Sequence, residues 1–483
     1  MSKKPNIVII MADQLRYDVL EMGITPNIRK IAEEGIEFKN CYCACPLCVP
    51  ARGAFFTGTY PNTNGSLINP WDPVDQAYGS VKNGIDNLYT LMENQWDSIH
   101  SGKQHLYTEG GNPEHRQDSP TYFAATDEIY FKHLKDCGKR KPGGPGFRTL
   151  VPEMAKGRYT RAVSYSTPAT GCYEEGYDYF YDGFYTEAGL EALRNRDHSK
   201  PLLLNMMYLA PHPPFDIPEP WYSRFEPPRL PENVGVWYKN QSPLQLYNLT
   251  GAVGSHYSVE QWRETWRVYL GLVSLLDDCV GKITDELKNQ GIYDDTLIIF
   301  TSDHGEMLGS HQLFQKMCMY EESAKTPLYM KFPKGFKTSQ KVYETYISAI
   351  DVFPTLCQYL SLKPAHTPDG QSLLPLITGK EFAEKELYIQ FDGNGARSNF
   401  QRCIIKDGYK LIVDIFKDEV YLELYHVAWD RYEKENLIFQ QEYNKKTREL
   451  LALLRQHMKK TGDMLTINDS FLHNFCEDYA LSD

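Results

Sequence analysis

The sequence predicts an α/β fold: a large, mostly parallel sheet sandwiched by helices, followed by a smaller C-terminal α+β domain with an antiparallel sheet. Three observations carry this. Short, nearly continuous apolar runs rich in Ile, Val and Leu mark strands covered on both faces. Longer stretches with apolar residues every three or four positions mark helices with one buried face. The two kinds alternate through most of the chain, the order expected of a parallel sheet with helical crossovers.

Asn6–Ala12 is the first such strand. Thr25–Gly35 follows as a short helix, with Thr25 as cap, Pro26 in the first turn and Gly35 as the stop. Leu202–Leu209 and Thr296–Thr301 are two further buried strands. Between them a long helix covers Glu260–Asn289, where Trp262, Trp266, Tyr269, Val273, Leu276, Val280, Ile283 and Leu287 share one face and Gly291 ends the run. The connection 216–258, rich in Pro, Gly, Asn and aromatics, is long for a structureless loop and is expected to wall a pocket. Beyond Gly379, Glu386–Phe391, Arg402–Lys406, Lys410–Ile415 and Tyr421–Tyr425 read as short antiparallel strands, with a helix near Gln441–Lys459. The domain division is accordingly placed at 1–375 and 376–483.

Composition narrows the function. At roughly 150 residues per domain, a chain of 483 residues, 42% apolar and 24% charged, has ample material for a large core and is not disordered. Lys and Arg number 51 against 63 Asp and Glu, a net charge of −12, which argues against general binding to nucleic acid or to an anionic membrane. No segment approaches the roughly 18 consecutive apolar residues that span a bilayer. The apolar run Ile7–Ala12 is shorter than the ~7–15 residues at the centre of a signal peptide. Eleven cysteines, an odd number spread over a long chain, suit reduced thiols better than a disulfide framework, so a cytoplasmic location is expected.

The most informative segment is Cys48-Val49-Pro50-Ala51-Arg52-Gly53, continuing to Thr57-Gly58. Pro50 suits the first turn of a helix and would place Cys48 at its amino end, where unpaired N–H groups favour an anion and Arg52 adds a fixed charge. A lone cysteine is more often buried and inert. A tyrosine-phosphatase loop needs five residues between Cys and Arg, whereas three occur here. A thiolate metal cluster of Cys41, Cys43, Cys45 and Cys48 lacks the usual second pair at a distance.

C-x-P-x-R followed by T-G resembles the signature of the type I, formylglycine-dependent sulfatases of the alkaline phosphatase superfamily. The likeness extends over nearly the whole chain, through PNIVIIMADQ, TPNIRKIAEEGIEFKNCY, GKQHL, LAPHPPF, TSDHGEMLGSHQLFQK, ISAIDVFPTL and DGQSLLPLITG in the family's order, and is thinnest at 78–177. It implies an alkaline phosphatase-like fold and a sulfuric ester hydrolase. It also implies that a formylglycine-generating or anaerobic sulfatase-maturating enzyme oxidises Cys48 to an aldehyde whose hydrate is the nucleophile. By the same matching, Lys103 and His105 contact the nucleophile and the sulfate oxygens, and His212 and Lys316 bind the sulfate and the leaving-group oxygen. Asn69 is a further sulfate contact.

Asp13 closes the first strand and Asp303-His304 closes the strand Thr296–Thr301. A single acid after a strand commonly caps a helix. Two such ends in a parallel sheet, whose ligands collect outside the carboxyl ends of the strands, point to one shared ion. Asp13, Asp303 and His304 are therefore expected on the metal, and the resemblance adds Gln14 and Cys48 to the set. Oxygen donors favour Ca²⁺ or Mg²⁺, Ca²⁺ first, and His304 admits Mn²⁺. The sequence departs from the commonest family pattern at Gln14, at His304 and at Ala51. The Asp-Gln and Asp-His pairs also occur in the choline-sulfatase and phosphonate monoester hydrolase branches. The substrate expected is an aryl or carbohydrate sulfate ester, with Trp237, Tyr238 and Tyr257 on the substrate side. Phosphonate monoester or phosphodiester hydrolysis is the rival, and a non-catalytic anion- or metal-binding protein is a reading of another class. His100, His311 and Lys325 are assigned supporting roles, behind the site residues or in the structure.

Overall fold

The computed structural model describes residues 4–71, 75–155, 159–395, 397 and 399–467. Its main sheet has eight strands: β1 (Asn6–Asp13), β2 (Ile36–Tyr42), β3 (Asp97–Gly102), β4 (Tyr122–Ala125), β5 (Leu202–Pro211), β6 (Thr296–Ser302), β7 (Lys325–Lys331) and β8 (Val342–Ser348). Their order across the sheet is β8-β2-β7-β6-β1-β5-β3-β4, and β7 alone runs against its neighbours. The sheet is mostly parallel, as the apolar runs predicted.

The uninterrupted hydrophobicity of β1 has a direct cause. Val8, Ile10 and Ala12 enter one core with the long helix α4 (Val259–Asn289), while Ile7, Ile9 and Met11 enter the other with α2 (Cys48–Thr57) and α5 (Val352–Leu360). Successive side chains of a strand point to opposite faces, and helices cover both. Two further helices, α1 (Pro26–Glu34) and α3 (Tyr181–Arg194), pack on the α4 side.

α4 begins with a capping box in which Ser258 and Gln261 exchange hydrogen bonds with each other's backbone. α1 starts at Pro26 as expected, but Thr25 does not cap it, and the Thr25 hydroxyl has no partner. The Asp277 carboxylate on α4 accepts from the backbone N–H groups of Asn27 and Ile28 instead, at 3.2 and 2.8 Å. The cap is tertiary, which local sequence could not show.

The C-terminal part is a four-stranded antiparallel sheet of Leu387–Phe391, Phe400–Lys406, Tyr409–Phe416 and Glu419–His426. One face packs against the helix α6 (Asn444–Lys460) through Leu450, Leu451 and Leu454. The other face sends Ile389, Phe391, Cys403 and Ile412 into the main core, so the two parts share apolar packing. Residues 468–483, at the end of the second expected domain, lie outside the described residues. Among the described residues no helix is long and apolar enough to cross a membrane.

Candidate active site

The carboxyl ends of β6, β1, β5 and β3 lie side by side, and each delivers part of one site. Ala12 pairs with Ser302 in parallel register, which sets Asp13 beside Asp303. Pro211 is in register with Asp13 and leads into His212, while Gly102 ends β3 and leads into Lys103. Gly102 has φ 118°, and a Cβ there would sit 2.0 Å from the Met207 carbonyl oxygen. Only glycine lets the chain turn Lys103 inward at this approach.

Cys48 arrives from above the strand ends as the first residue of α2, where Pro50 was expected to place it. Asn69 caps that helix from a distant loop, its Oδ1 accepting from the Val49 N–H at 3.2 Å while its Nδ2 donates to Asn394. Gly58, in the left-handed region at φ 67°, closes α2 against Phe353.

Around Cys48 the charges interlock. Its Sγ lies 3.3 Å from His304 Nε2 and accepts from Lys103 Nζ at 3.8 Å. Lys103 also donates to Asp13. Arg52, fully buried, donates to Asp303 at 3.0 Å, to Asp13 at 3.4 Å and to the Lys103 carbonyl at 2.6 Å. Burial opposes ionisation of Asp13, yet Lys103, His212, Arg52 and Lys316 together hold its carboxyl well below the usual range. Against burial and Asp13, the cations Lys103, Lys316 and His304 lower the Cys48 thiol.

The donor set fits a divalent cation. Asp13, Cys48, Asp303 and His304 each bring one ligand atom to within 4.8 Å of the others, all buried. His304 Nδ1 faces the Gly305 carbonyl at 3.0 Å. A carbonyl only accepts, so Nδ1 carries a proton. Against burial, Asp303 and Cys48 raise the ring's basicity, and Nε2 faces Asp13 and Asp303 at 3.9 and 3.6 Å, where a cation would take the place of its proton. Two carboxylates and an imidazole nitrogen turned toward one another form a donor set that a divalent cation fits.

Gln14 stands between this set and the loop of Lys316. Its carbonyl oxygen, expected to face the cation, accepts from Lys316 Nζ at 2.6 Å, and its amide nitrogen donates to Glu306. Glu306 escaped the sequence reading although it stands within the SDHGE block. Its other oxygen accepts from the backbone of Leu308 and Gln315, so it orders the loop that carries Lys316.

His212 donates from Nδ1 to the Pro213 carbonyl, and burial together with Lys316 keeps its basicity well below normal. Burial and the neighbouring Lys103 do the same to His105. His105 Nδ1 is buried without a partner, and Nε2 lies 3.9 Å from Asp127. Trp71, an exposed residue the sequence reading passed over, packs edge-on against this ring with centroids 5.5 Å apart.

The remaining expected residues lie in other surroundings. Tyr238 stands edge-on to His311, Tyr257 is tilted against Trp262, and Trp237 packs on the main core. His100 bonds to Tyr89 and the Gly102 carbonyl, and Lys325 to Asn40, in keeping with structural roles.

Sheet topology, buried nucleophile position and convergent cations together define an enzyme built to act on an anionic group. The sulfatase family model matches residues 5–362, and a model described as the N-sulphoglucosamine sulphohydrolase C-terminal region matches 309–460. The chain therefore belongs to the sulfatase family, within the alkaline phosphatase superfamily. It is 28% identical over 428 residues to the multifunctional alkaline phosphatase superfamily protein PehA of Trinickia caryophylli, covering 81% of each chain. It is 26% identical to an arylsulfatase of Clostridium perfringens, covering 98% of each. Among solved structures it resembles the phosphonate monoester hydrolase of Agrobacterium radiobacter, with TM-score 0.75 and 23% identity over 94% of this chain and 96% of that one.

Proposed function

We propose that this protein hydrolyses sulfate monoesters of aryl or carbohydrate alcohols, with Cys48, matured to formylglycine, at the point of attack. The observation that supports this most strongly is the placement of Cys48 Sγ among His304, Lys103 and Asp13 at the amino end of α2. Asp13, Asp303 and His304, with the matured residue 48 and the carbonyl oxygen of Gln14, would hold the metal, with Ca²⁺ the first ion to test and Mn²⁺ or Mg²⁺ the alternatives. Bound there, the cation and the aldehyde hydrate would supply an acidified hydroxyl for attack on sulfur and a second hydroxyl whose deprotonation releases sulfate.

The side chains divide the remaining work. Arg52 fixes both carboxylates, and Lys103 keeps positive charge against position 48. Lys316, held by Gln14, hands a proton to the departing alcohol oxygen, while neutral His212 accepts a hydrogen bond at Nε2. His105, neutral and open at Nδ1, takes the proton of the second hydroxyl there, and Asp127 steadies the resulting imidazolium. Asn69 holds α2 in place beside the sulfate site.

Two tests bear on this reading. Peptide mass spectrometry across residues 41–61 should show conversion of the Cys48 thiol to an aldehyde after co-expression with a maturation enzyme. A free thiol and no activity under those conditions would leave an anion- or metal-binding protein. A second reading, phosphonate monoester or phosphodiester hydrolysis, draws support from the likeness in fold to the phosphonate monoester hydrolase. Comparing kcat/KM for 4-nitrophenyl sulfate and a phenylphosphonate ester ranks the two.

A further inference from the structure

The loop that supplies Asp303, His304 and Lys316 carries a second buried cluster that the reaction does not use. One nitrogen of His311 and one carboxylate oxygen each from Glu322 and Glu433 lie within 4.8 Å of one another. All three residues are inaccessible, at 0%, 1% and 0% exposure. Glu433 follows the C-terminal antiparallel sheet, so the cluster joins the catalytic loop to that part of the chain.

The hydrogen bonds leave this cluster short of donors. Gln241 Nε2 donates to the His311 carbonyl at 3.1 Å, which turns Gln241 Oε1 toward His311 Nδ1 at 3.2 Å. An amide oxygen only accepts, so the ring proton is on Nδ1 and a lone pair is on Nε2. Among the described residues Nε2 has no partner within hydrogen-bond range, the ring's one further approach being to the Tyr432 backbone, and Glu322 Oε2 has none either. Tyr320, stacked 4.1 Å away and parallel within 2°, holds the imidazole flat.

The nearby cations are committed elsewhere. Arg16 forks onto Asp18 at 2.8 Å and reaches Glu322 only at 4.0 Å. Lys410 is shared between Glu321 and Glu433 at 2.9 Å each, and Lys325 turns to Glu321 at 3.6 Å. Asp18, Glu321, Glu322 and Glu433 thus share Arg16, Lys325, Lys410 and the nearby Arg431, and Glu322 Oε2 is left without a donor among the described residues. A buried carboxylate oxygen and a buried lone pair without donors are costly.

We propose that His311, Glu322 and Glu433 bind a second divalent cation, a transition ion such as Zn²⁺ or Mn²⁺, separate from the one at Asp13, Asp303 and His304. One imidazole with two carboxylates, lacking the further oxygens that residue 48 and Gln14 would add at the catalytic ion, suits an ion of borderline hardness better than Ca²⁺ or Mg²⁺. Burial holds His311 far down, to about 3, so the imidazole stays unprotonated and available as a ligand across the neutral range. The role is structural. The Glu322 carbonyl accepts from the Glu306 N–H at 2.8 Å, and Glu306 in turn holds the amide of Gln14. The competing occupant is a proton shared between Glu322 and His311.

The full chain, purified with Mn²⁺ or Zn²⁺ and desalted, is crystallised for anomalous diffraction at the metal edge, and its metal content is measured by mass spectrometry. An anomalous peak among His311, Glu322 and Glu433 is expected. His311→Gln and Glu322→Gln should each lose one equivalent relative to the unaltered chain, whereas Asp303→Asn loses the other. Absence of the peak overturns the proposal, whatever occupies the Asp303 site, and so does unchanged metal content in His311→Gln. If a variant fails to fold, the map of the unaltered chain alone decides.

Discussion

Cys48 Sγ lies 3.3 Å from His304 Nε2, although the two residues come from a helix start and a strand end far apart in the chain. The contact puts position 48 at the rim of the metal set and not in the core. Cys48→Ala should lower kcat/KM for 4-nitrophenyl sulfate by on the order of 10³-fold or more. Cys48→Ser, which lacks the second hydroxyl, should label with sulfate and fail to turn over. Full multiple-turnover activity of either variant would remove this residue from the mechanism.

Lys316 is held by Gln14 at 2.6 Å and is assigned the leaving-group proton. Lys316→Ala should lose roughly 10²–10⁴-fold in kcat on alkyl or sugar sulfates, whose alcohols leave poorly. Losses on 4-nitrophenyl sulfate should be much smaller, because nitrophenolate leaves without a proton. Equal losses on both substrates would assign Lys316 to sulfate binding alone.

Asp303 accepts from Arg52 and faces His304 Nε2. A strong chelator should abolish activity, and added Ca²⁺ should restore it. Asp303→Asn should weaken metal binding by about tenfold or more, some 1.4 kcal/mol, measured by isothermal titration. Unchanged affinity would move the ion elsewhere.

Gly102 stands where a Cβ would meet the Met207 carbonyl oxygen at 2.0 Å, at φ 118°. Gly102→Ala should cost roughly 1–3 kcal/mol from the backbone conformation alone, with the clash added. The expected readout is a lower Tm together with a fall in kcat as Lys103 is displaced. A variant with unchanged Tm and activity would contradict the role given to this turn.

Asp414, on the third strand of the C-terminal sheet, accepts from Ser242 and Gln245 at 2.8 and 3.0 Å. Burial pushes its carboxyl up to about 8. The folded chain therefore holds a proton that the unfolded chain releases between about pH 4 and pH 8. This group's contribution to stability is complete below that window and is lost as pH rises through it. Tm should fall across the upper part of the window, and Asp414→Asn, which keeps an acceptor oxygen, should flatten that fall. An unaltered pH profile in the variant would show that the carboxyl is already ionised in the folded protein.

The chain's own order of residues determined β1, β5 and β6 of the main sheet, the helices α1 and α4, the C-terminal strands and the motif that seats Cys48, while β2, β3, β4, β7 and β8 carried no comparable apolar signal. Apolar runs such as Asn6–Ala12 are legible because burial on both faces leaves no polar position, and Pro50 and Gly58 bracket α2 by local backbone rules alone. Asp13 and Asp303 could be named as strand ends for the same reason. Their meeting was decided by register, since pairing of Ala12 with Ser302 joins segments that share no local signal. So were the capping of α1 by Asp277, the engagement of Gln14 with Lys316 and Glu306, and the gathering of His311, Glu322 and Glu433. Each depends on side chains brought together by the packing of whole elements. Local preference sets what a segment becomes, and only the folded arrangement sets which charges share a buried space.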